Sequence, residues 1–234
     1  MKILFACDLD NTLIHSYKYR ADNDICVEIY DGREQSFISP KALELLKKIS
    51  AQVFFVPITT RSIAQYKRIF WTEDFSPKCA FVANGAVFLD GDKQIFYRDA
   101  VAPYQDELKA QLAVADKNIF TIARLVDESF LFLRCRDDLN PAEITFQTNL
   151  TVQYTGKKIY LFPPDINKGA ALKILIKKFL PDKIICAGDS IIDLPMLQLA
   201  DIAFAHENLR GKNFIAFSNT EEFLEKIYRA LCNV

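Results

Sequence analysis

Histidine is nearly absent from this chain, at two residues among 234, and no Cys-x-x-Cys pair or Cys/His cluster occurs. That argues against a zinc site and leaves any bound metal to oxygen ligands. Cys7, Cys26, Cys79, Cys135, Cys186 and Cys232 are scattered singly, mostly in apolar runs where a free thiol acts as a small hydrophobe. A chain of this length buries enough surface to need neither disulfides nor a structural metal. Excess charge is lacking too: 29 basic and 30 acidic residues leave a formal charge of -1. There is thus no broad field to hold nucleic acid or an anionic membrane. No apolar run approaches the roughly 20 residues that span a bilayer. The stretch from Lys2 to Cys7 is too short for a secretion signal and is stopped by Asp8. A cytoplasmic protein, monomeric or a small homo-oligomer, is expected. Repeats and low-complexity linkers are absent, and half the residues are hydrophobic, which is globular composition.

Short apolar runs alternate with amphipathic segments at both ends of the chain. Strands are expected at Ile3–Cys7, 53–58 and 79–83. Between them lie a helix over 40–49, opened by Ser39-Pro40, and one from Ser62, whose capping box with Gln65 starts it. From about Gly85 the runs become hairpin-like, with Gly91-Asp92 and Thr155-Gly156 as turns and clean alternation over 130–136. Helices are expected there at 103–115 and 141–147. Strand–helix alternation resumes after Asn167, with a final amphipathic helix over 220–231. This order predicts an α/β fold: a doubly wound, Rossmann-like parallel sheet with helices on both faces. Residues 1–84 and 164–234 form this core, and 85–163 form a smaller inserted α+β domain.

In such sheets the working residues lie beyond the carboxyl ends of the strands. Four polar segments fall there: Asp8-Leu9-Asp10-Asn11-Thr12, Thr59-Thr60-Arg61, Lys168, and Gly188-Asp189-Ser190-Ile191-Ile192-Asp193. Singly, each has a bland reading, since an Asp at a strand end often caps a helix and a Lys at a helix start is usually solvated. Together they gather four carboxylates, two hydroxyls and two cations along one rim. Oxygen ligands without His or Cys suit Mg²⁺, a hard cation that shares its sphere with phosphate. Attack of a carboxylate on a phosphate dianion is uphill by about 4 kcal/mol per charge pair at about 4 Å. A metal reverses that repulsion, and Lys168 and Arg61 neutralise the remainder.

At these residues the sequence resembles the haloacid-dehalogenase-like phosphatases, whose signature is D-x-D-x-[TV], a Thr or Ser at a strand end, a Lys, and an acidic G-D-x-x-x-D. The insert after the second element, with Asn84-Gly85-Ala86 at its entry, looks like the Cof-type and sucrose-phosphate-phosphatase-like branch with its α/β cap. The resemblance implies Asp8 as nucleophile, Asp10 as general acid and then base, and Thr59 as phosphate-binding hydroxyl. It further implies Lys168 as neutralising cation, and Asp189 as Mg²⁺ ligand beside Asp8 and the Asp10 carbonyl. Asp193 would support the metal's water shell, and Asn208 would contact the phosphate region. Thr60, Arg61 and Asn84 complete the expected phosphate and substrate contacts. Two positions depart from the branch: Thr60 stands for a usual Gly, where it crowds the phosphate, and Ile192 for a usual Asn. The expected activity is Mg²⁺-dependent hydrolysis of a small phosphorylated metabolite such as a sugar phosphate, through an aspartyl-phosphate. Phosphotransfer between sugar hydroxyls and a non-enzymatic phospho-acceptor module are the alternatives. Phe132 and Arg134 are candidate substrate contacts on the insert.

Overall fold

The computed structural model describes residues 1–209 and 214–232. The chain opens with β1 (Ile3–Cys7), then a small antiparallel sheet of β2 (His15–Ser16), β3 (Ile25–Tyr30) and β4 (Arg33–Ile38). Helix α1 (Pro40–Ser50) leads to β5 (Phe54–Pro57), and α2 (Ile63–Lys67) to β6 (Cys79–Val82), β7 (Val87–Asp90) and β8 (Lys93–Phe96). Short α3 (Arg98–Val101) and α4 (Gln105–Ala113) precede an antiparallel sheet of β9 (Phe120–Val126), β10 (Phe130–Cys135), β11 (Thr151–Thr155) and β12 (Lys158–Phe162). The last part runs α5 (Lys168–Phe179), β13 (Lys183–Gly188), α6 (Leu194–Leu197), β14 (Ile202–His206), β15 (Ile215–Phe217) and α7 (Thr220–Cys232). No helix among the described residues is long and apolar enough to cross a membrane.

The central sheet is parallel throughout, in the order β15-β14-β13-β1-β5. Its middle strand follows from its own sequence. Every residue of β1 is apolar and buried, as a strand covered on both faces requires. Alternation divides it: Ile3, Phe5 and Cys7 join the apolar cluster beneath α1 and α7, while Leu4 and Ala6 join the one beneath α5 and α6. Ser39 caps α1 by accepting the Ala42 N–H, and the Ser62–Gln65 capping box opens α2.

Three segments differ from the sequence expectation. The strand expected at 79–83 forms as β6, but it meets β5 only through the Ile58–Phe81 bridge and otherwise pairs antiparallel with β7. The helix expected at 141–147 is a single 3₁₀ turn, Pro141–Glu143. There Ile144 turns to extended backbone and packs, with Phe146, against the apolar cluster of the β9–β12 sheet. The third difference is the β2–β4 sheet, in a stretch where no strand is expected.

The β9–β12 sheet has order β11-β12-β10-β9. One face buries Leu131, Leu133, Ile159 and Leu161 with Leu108 of α4. The other face carries Phe130, Phe132, Tyr160 and Arg124, and looks into a cavity above the carboxyl edge of the parallel sheet.

Candidate active site

The Asp8 N–H donates to Ala187 O at 3.0 Å, extending the β1–β13 ladder by one step beyond β1. Asp8 therefore stands at the carboxyl end of the central strand, held by backbone rather than by loop conformation. Its Oδ1 lies 2.6 Å from Lys168 Nζ, which is also 2.5 Å from Asp193 Oδ1. Lys168 is the first residue of α5, whose N-cap is Asn167, accepting the Ala170 N–H at 2.9 Å. Only 1 % of Lys168 is exposed, so its ammonium is a buried charge between two carboxylates.

Asp193 closes the loop after β13. Its Oδ2 accepts the N–H groups of Asp189 and Ser190 at 3.1 and 2.9 Å, and the Ser190 hydroxyl at 3.0 Å. Gly188 makes this approach possible, because a Cβ there would lie 2.5 Å from Asp193 Cβ. The Thr12 hydroxyl donates to Asp189 Oδ1 at 3.3 Å, joining the two acidic loops.

Asp8, Asp189 and Asp193 offer carboxylate oxygens within 4.8 Å of one another. Burial pushes the Asp8 carboxyl well above the usual carboxylate range, and repulsion from Asp193 and Asp189 adds to it against the pull of Lys168. Asp189 is raised for the same reasons, burial first and then Asp193. Burial works to lower the Lys168 ammonium, yet Asp193 and Asp8 outweigh it and hold it above its ordinary value. Three acidic groups share one cation, and the donor atoms are all oxygen. Such a set fits a hard divalent cation such as Mg²⁺.

Asp10 faces elsewhere. Arg61 grips it with two bonds, Nε to Oδ2 at 2.8 Å and Nη2 to Oδ1 at 2.7 Å. Burial opposes ionisation of Asp10, but the hydrogen bonds and charge of Arg61 prevail and keep its carboxyl below the usual range. Arg61 Nη1 is also 2.9 Å from Glu28 Oε2. Glu28 is 1 % exposed; it accepts the Ser36 hydroxyl at 2.6 Å and Arg68 Nε at 3.0 Å. Glu28 and Ser36 come from β3 and β4 and, with the cavity-lining Arg68, Arg124, Lys158 and Tyr160, are site residues that sequence reasoning missed. The Asp31-Gly32 pair between two strand-like runs was a hairpin signal. Nothing local marks Glu28 as a buried acid.

The remaining motif positions lie around this centre. Thr59 is fully buried, and its Oγ1 accepts the Arg61 N–H at 3.1 Å. Thr60 lines the cavity beside Tyr160. Asn84 is buried with a positive φ of 58°; its N–H donates to Thr59 O, and its Nδ2 donates to Ile166 O at 3.2 Å. It thereby ties the end of β5 to the approach to α5. Asn208 is exposed, donates its N–H to His206 Nδ1, and does not line the cavity. Ile192 packs among Val82, Ile159 and Ile166 in the apolar cluster under the β9–β12 sheet.

The cavity, about 560 Å³, opens between three walls. Asp10, Thr60 and Arg61 come from the parallel-sheet edge, and Glu28, Tyr30 and Ser36 from the small sheet. The third wall holds Arg124, Phe130, Phe132, Lys158 and Tyr160 of the β9–β12 sheet. Arg134, expected among the substrate contacts, is instead paired with Asp137 at 2.8 Å and is outside the lining.

The family model for haloacid dehalogenase-like hydrolases matches residues 90–212. No curated protein matches the sequence. Among solved structures, the sucrose-phosphatase from Synechocystis sp. PCC6803 is 17% identical with a TM-score of 0.70, covering 98% of both chains. The C-terminal domain of trehalose-6-phosphate phosphatase from C. albicans is 14% identical with a TM-score of 0.68, covering 99% of this chain and 93% of that one. A protein of Thermoplasma acidophilum is 16% identical with a TM-score of 0.65, and both chains are covered completely, at 100%.

Proposed function

The chain belongs to the haloacid dehalogenase-like hydrolases, and from that premise we propose that it is a Mg²⁺-dependent phosphatase of small phosphorylated metabolites, working through an aspartyl-phosphate on Asp8. The observation that carries this reading is Asp8 itself. It is a buried carboxylate at the carboxyl edge of the central strand, flanked by Lys168 and by two further acids. Sugar phosphates are the preferred substrate class, because the neighbours in fold include phosphatases of sucrose phosphate and trehalose phosphate.

Asp8, Asp189 and the Asp10 carbonyl would hold Mg²⁺, with Asp193 supporting its water shell. The bound cation would supply charge to offset the meeting of carboxylate and phosphate anions. Asp8 Oδ attacks phosphorus, and the ester oxygen departs with a proton from Asp10. Lys168 compensates the charge on the transferred group, and Thr59 and Thr60 orient its oxygens. Asp10 then takes a proton from water as that water attacks the aspartyl-phosphate. The grip of Arg61 favours the ionised Asp10 that this second half needs, so donation in the first half requires Asp10 to loosen from Arg61. Residues 85–163, with the β9–β12 sheet over the cavity, act as the cap that excludes water and selects the leaving group.

The test is phosphate release from a panel of phosphorylated metabolites, with Mg²⁺ or with chelator, by the native protein and by Asp8→Asn. Release is expected with Mg²⁺ and the native protein only. Substantial release without metal, or by Asp8→Asn, rejects the mechanism.

A further inference from the structure

The charges that line the cavity do not balance. Four cations, Arg61, Arg68, Arg124 and Lys158, face two carboxylates, Asp10 and Glu28. Arg61 is bound to both acids and Arg68 to Glu28, so those two cations are matched within the wall. Arg124 and Lys158 remain, and neither has a carboxylate partner among the described residues. Both side chains are exposed in the cavity wall, on the sheet opposite Asp10. Their positions follow from the register. Arg124 is opposite Phe132, which is opposite Tyr160; Lys158 is two residues from Tyr160, on the same face of β12. The two cations therefore stand on strands separated by β10 and offset by two residues, about 12 Å apart between Cα atoms. Arg124 lies over the Phe132 ring, 5.6 Å from its centroid. Gln153 continues the row beyond Tyr160, and its Oε1 is buried with no hydrogen-bond partner among the described residues.

A single phosphate at Asp8 already has Lys168 and the acidic cluster's cation beside it. Two further cations spread across the roof match charge carried elsewhere on the molecule. Building on the phosphatase reading, we propose that the preferred substrate carries a second anionic group, remote from the transferred phosphate, which Arg124 and Lys158 bind over the Phe132 and Tyr160 rings. The class is a phosphorylated sugar acid or a similar phosphorylated carboxylate, rather than the phosphate of a neutral sugar. The intervening carbon skeleton lies along the Phe132 and Tyr160 rings of that wall.

Matched ligand pairs that differ only in a terminal carboxylate in place of CH₂OH isolate this group. Phosphoglycerate with glycerol phosphate, and phosphogluconate with sorbitol phosphate, cover a short and a long reach. Binding of each is measured by calorimetry to the full-length Asp8→Asn protein in Mg²⁺, and kcat/KM is measured on the native protein. The carboxylate member of at least one pair is expected to bind about tenfold tighter, as a charge-assisted hydrogen bond contributes, and the advantage falls with added salt. Arg124→Met and Lys158→Met each bring that ratio toward one. Arg136→Met, which removes a cation paired with Asp138 outside the cavity, leaves the ratio where it was. Equal affinity within both pairs overturns the proposal. So does an equal loss on both members in the two cavity variants, which assigns the cations to the transferred phosphate. A binding preference without any hydrolysis by the native protein rejects the phosphatase reading and leaves this inference standing.

Discussion

Lys168 sits at the first turn of a helix, the positive end of its dipole, where a cation is slightly disfavoured. On sequence grounds that position suits a catalytic cation more than a structural one. Its burial between Asp8 and Asp193 gives it both duties. Lys168→Ala leaves two uncompensated buried carboxylates, so metal-free protein should lose about 3–5 kcal/mol of stability together with its activity. The sign of the pH dependence follows from Asp8, whose carboxyl is already raised by burial. Without Lys168 it is raised further, so the deficit is small in acid, where Asp8 is protonated in both proteins, and grows as pH climbs through the raised folded value of the native Asp8. Mg²⁺ restores part of it. Urea unfolding at several pH values, with and without Mg²⁺, checks this, and metal-free stability unchanged at neutral pH contradicts it. Asp10 behaves oppositely. Its lowered carboxyl contributes stability above about pH 4 that is lost as pH falls through the folded value. Arg61→Met leaves burial of Asp10 opposed only by the weaker pull of Lys158 and Lys168. Because the first half needs Asp10 protonated, the alkaline limb of the kcat/KM profile should then move up by about one pH unit or more. An unmoved limb shows that another group sets it.

At the level of elements, α5 is placed by a close approach as well as by its cap. A Cβ on Gly169 would lie 2.5 Å from Pro195 O in α6, which is backbone and cannot swing aside. Gly169→Ala should therefore cost about 1–3 kcal/mol, measured by thermal melting, and depress activity by shifting Lys168 next to it. A stable variant with native activity shows that the two helices can part without consequence. The elements legible in the sequence were those whose signals are local. The all-apolar β1, the Ser62–Gln65 box and the Gly156 turn each carry their instruction within a few residues. The helix expected at 141–147 is absent because packing of the half-buried Ile144 and Phe146 onto the β9–β12 cluster outweighs a weak local preference. The partnership of β6 with β7 was hidden for a related reason: an apolar run of four residues states that a strand is buried, not which neighbour it takes.

For the whole molecule, the acidic centre was legible because its groups lie at strand ends of one sheet, where chain order fixes their convergence. Its support was not. Glu28 reaches Arg61 from a separate sheet, and the two unmatched cations acquire meaning only when β9 and β12 are laid over Asp10. These are facts of relative placement that no spacing in the sequence encodes.

The register of β1 has a consequence for how the chain is made. Residues 3–7 pair with residues 183–187 on one side and with 54–57 on the other. The central strand thus lacks one flank until some 180 residues have followed it out of the ribosome, roughly 10–40 s at typical synthesis rates. Throughout that interval a fully apolar strand with one open edge is a substrate for chaperones and for self-association. Ribosome-bound chains stalled before residue 183 should leave the β1 amides open to hydrogen exchange, and chains stalled well beyond residue 217 should protect them. Early protection would mean that β5 alone stabilises β1, and that the nascent chain is less exposed than its topology implies.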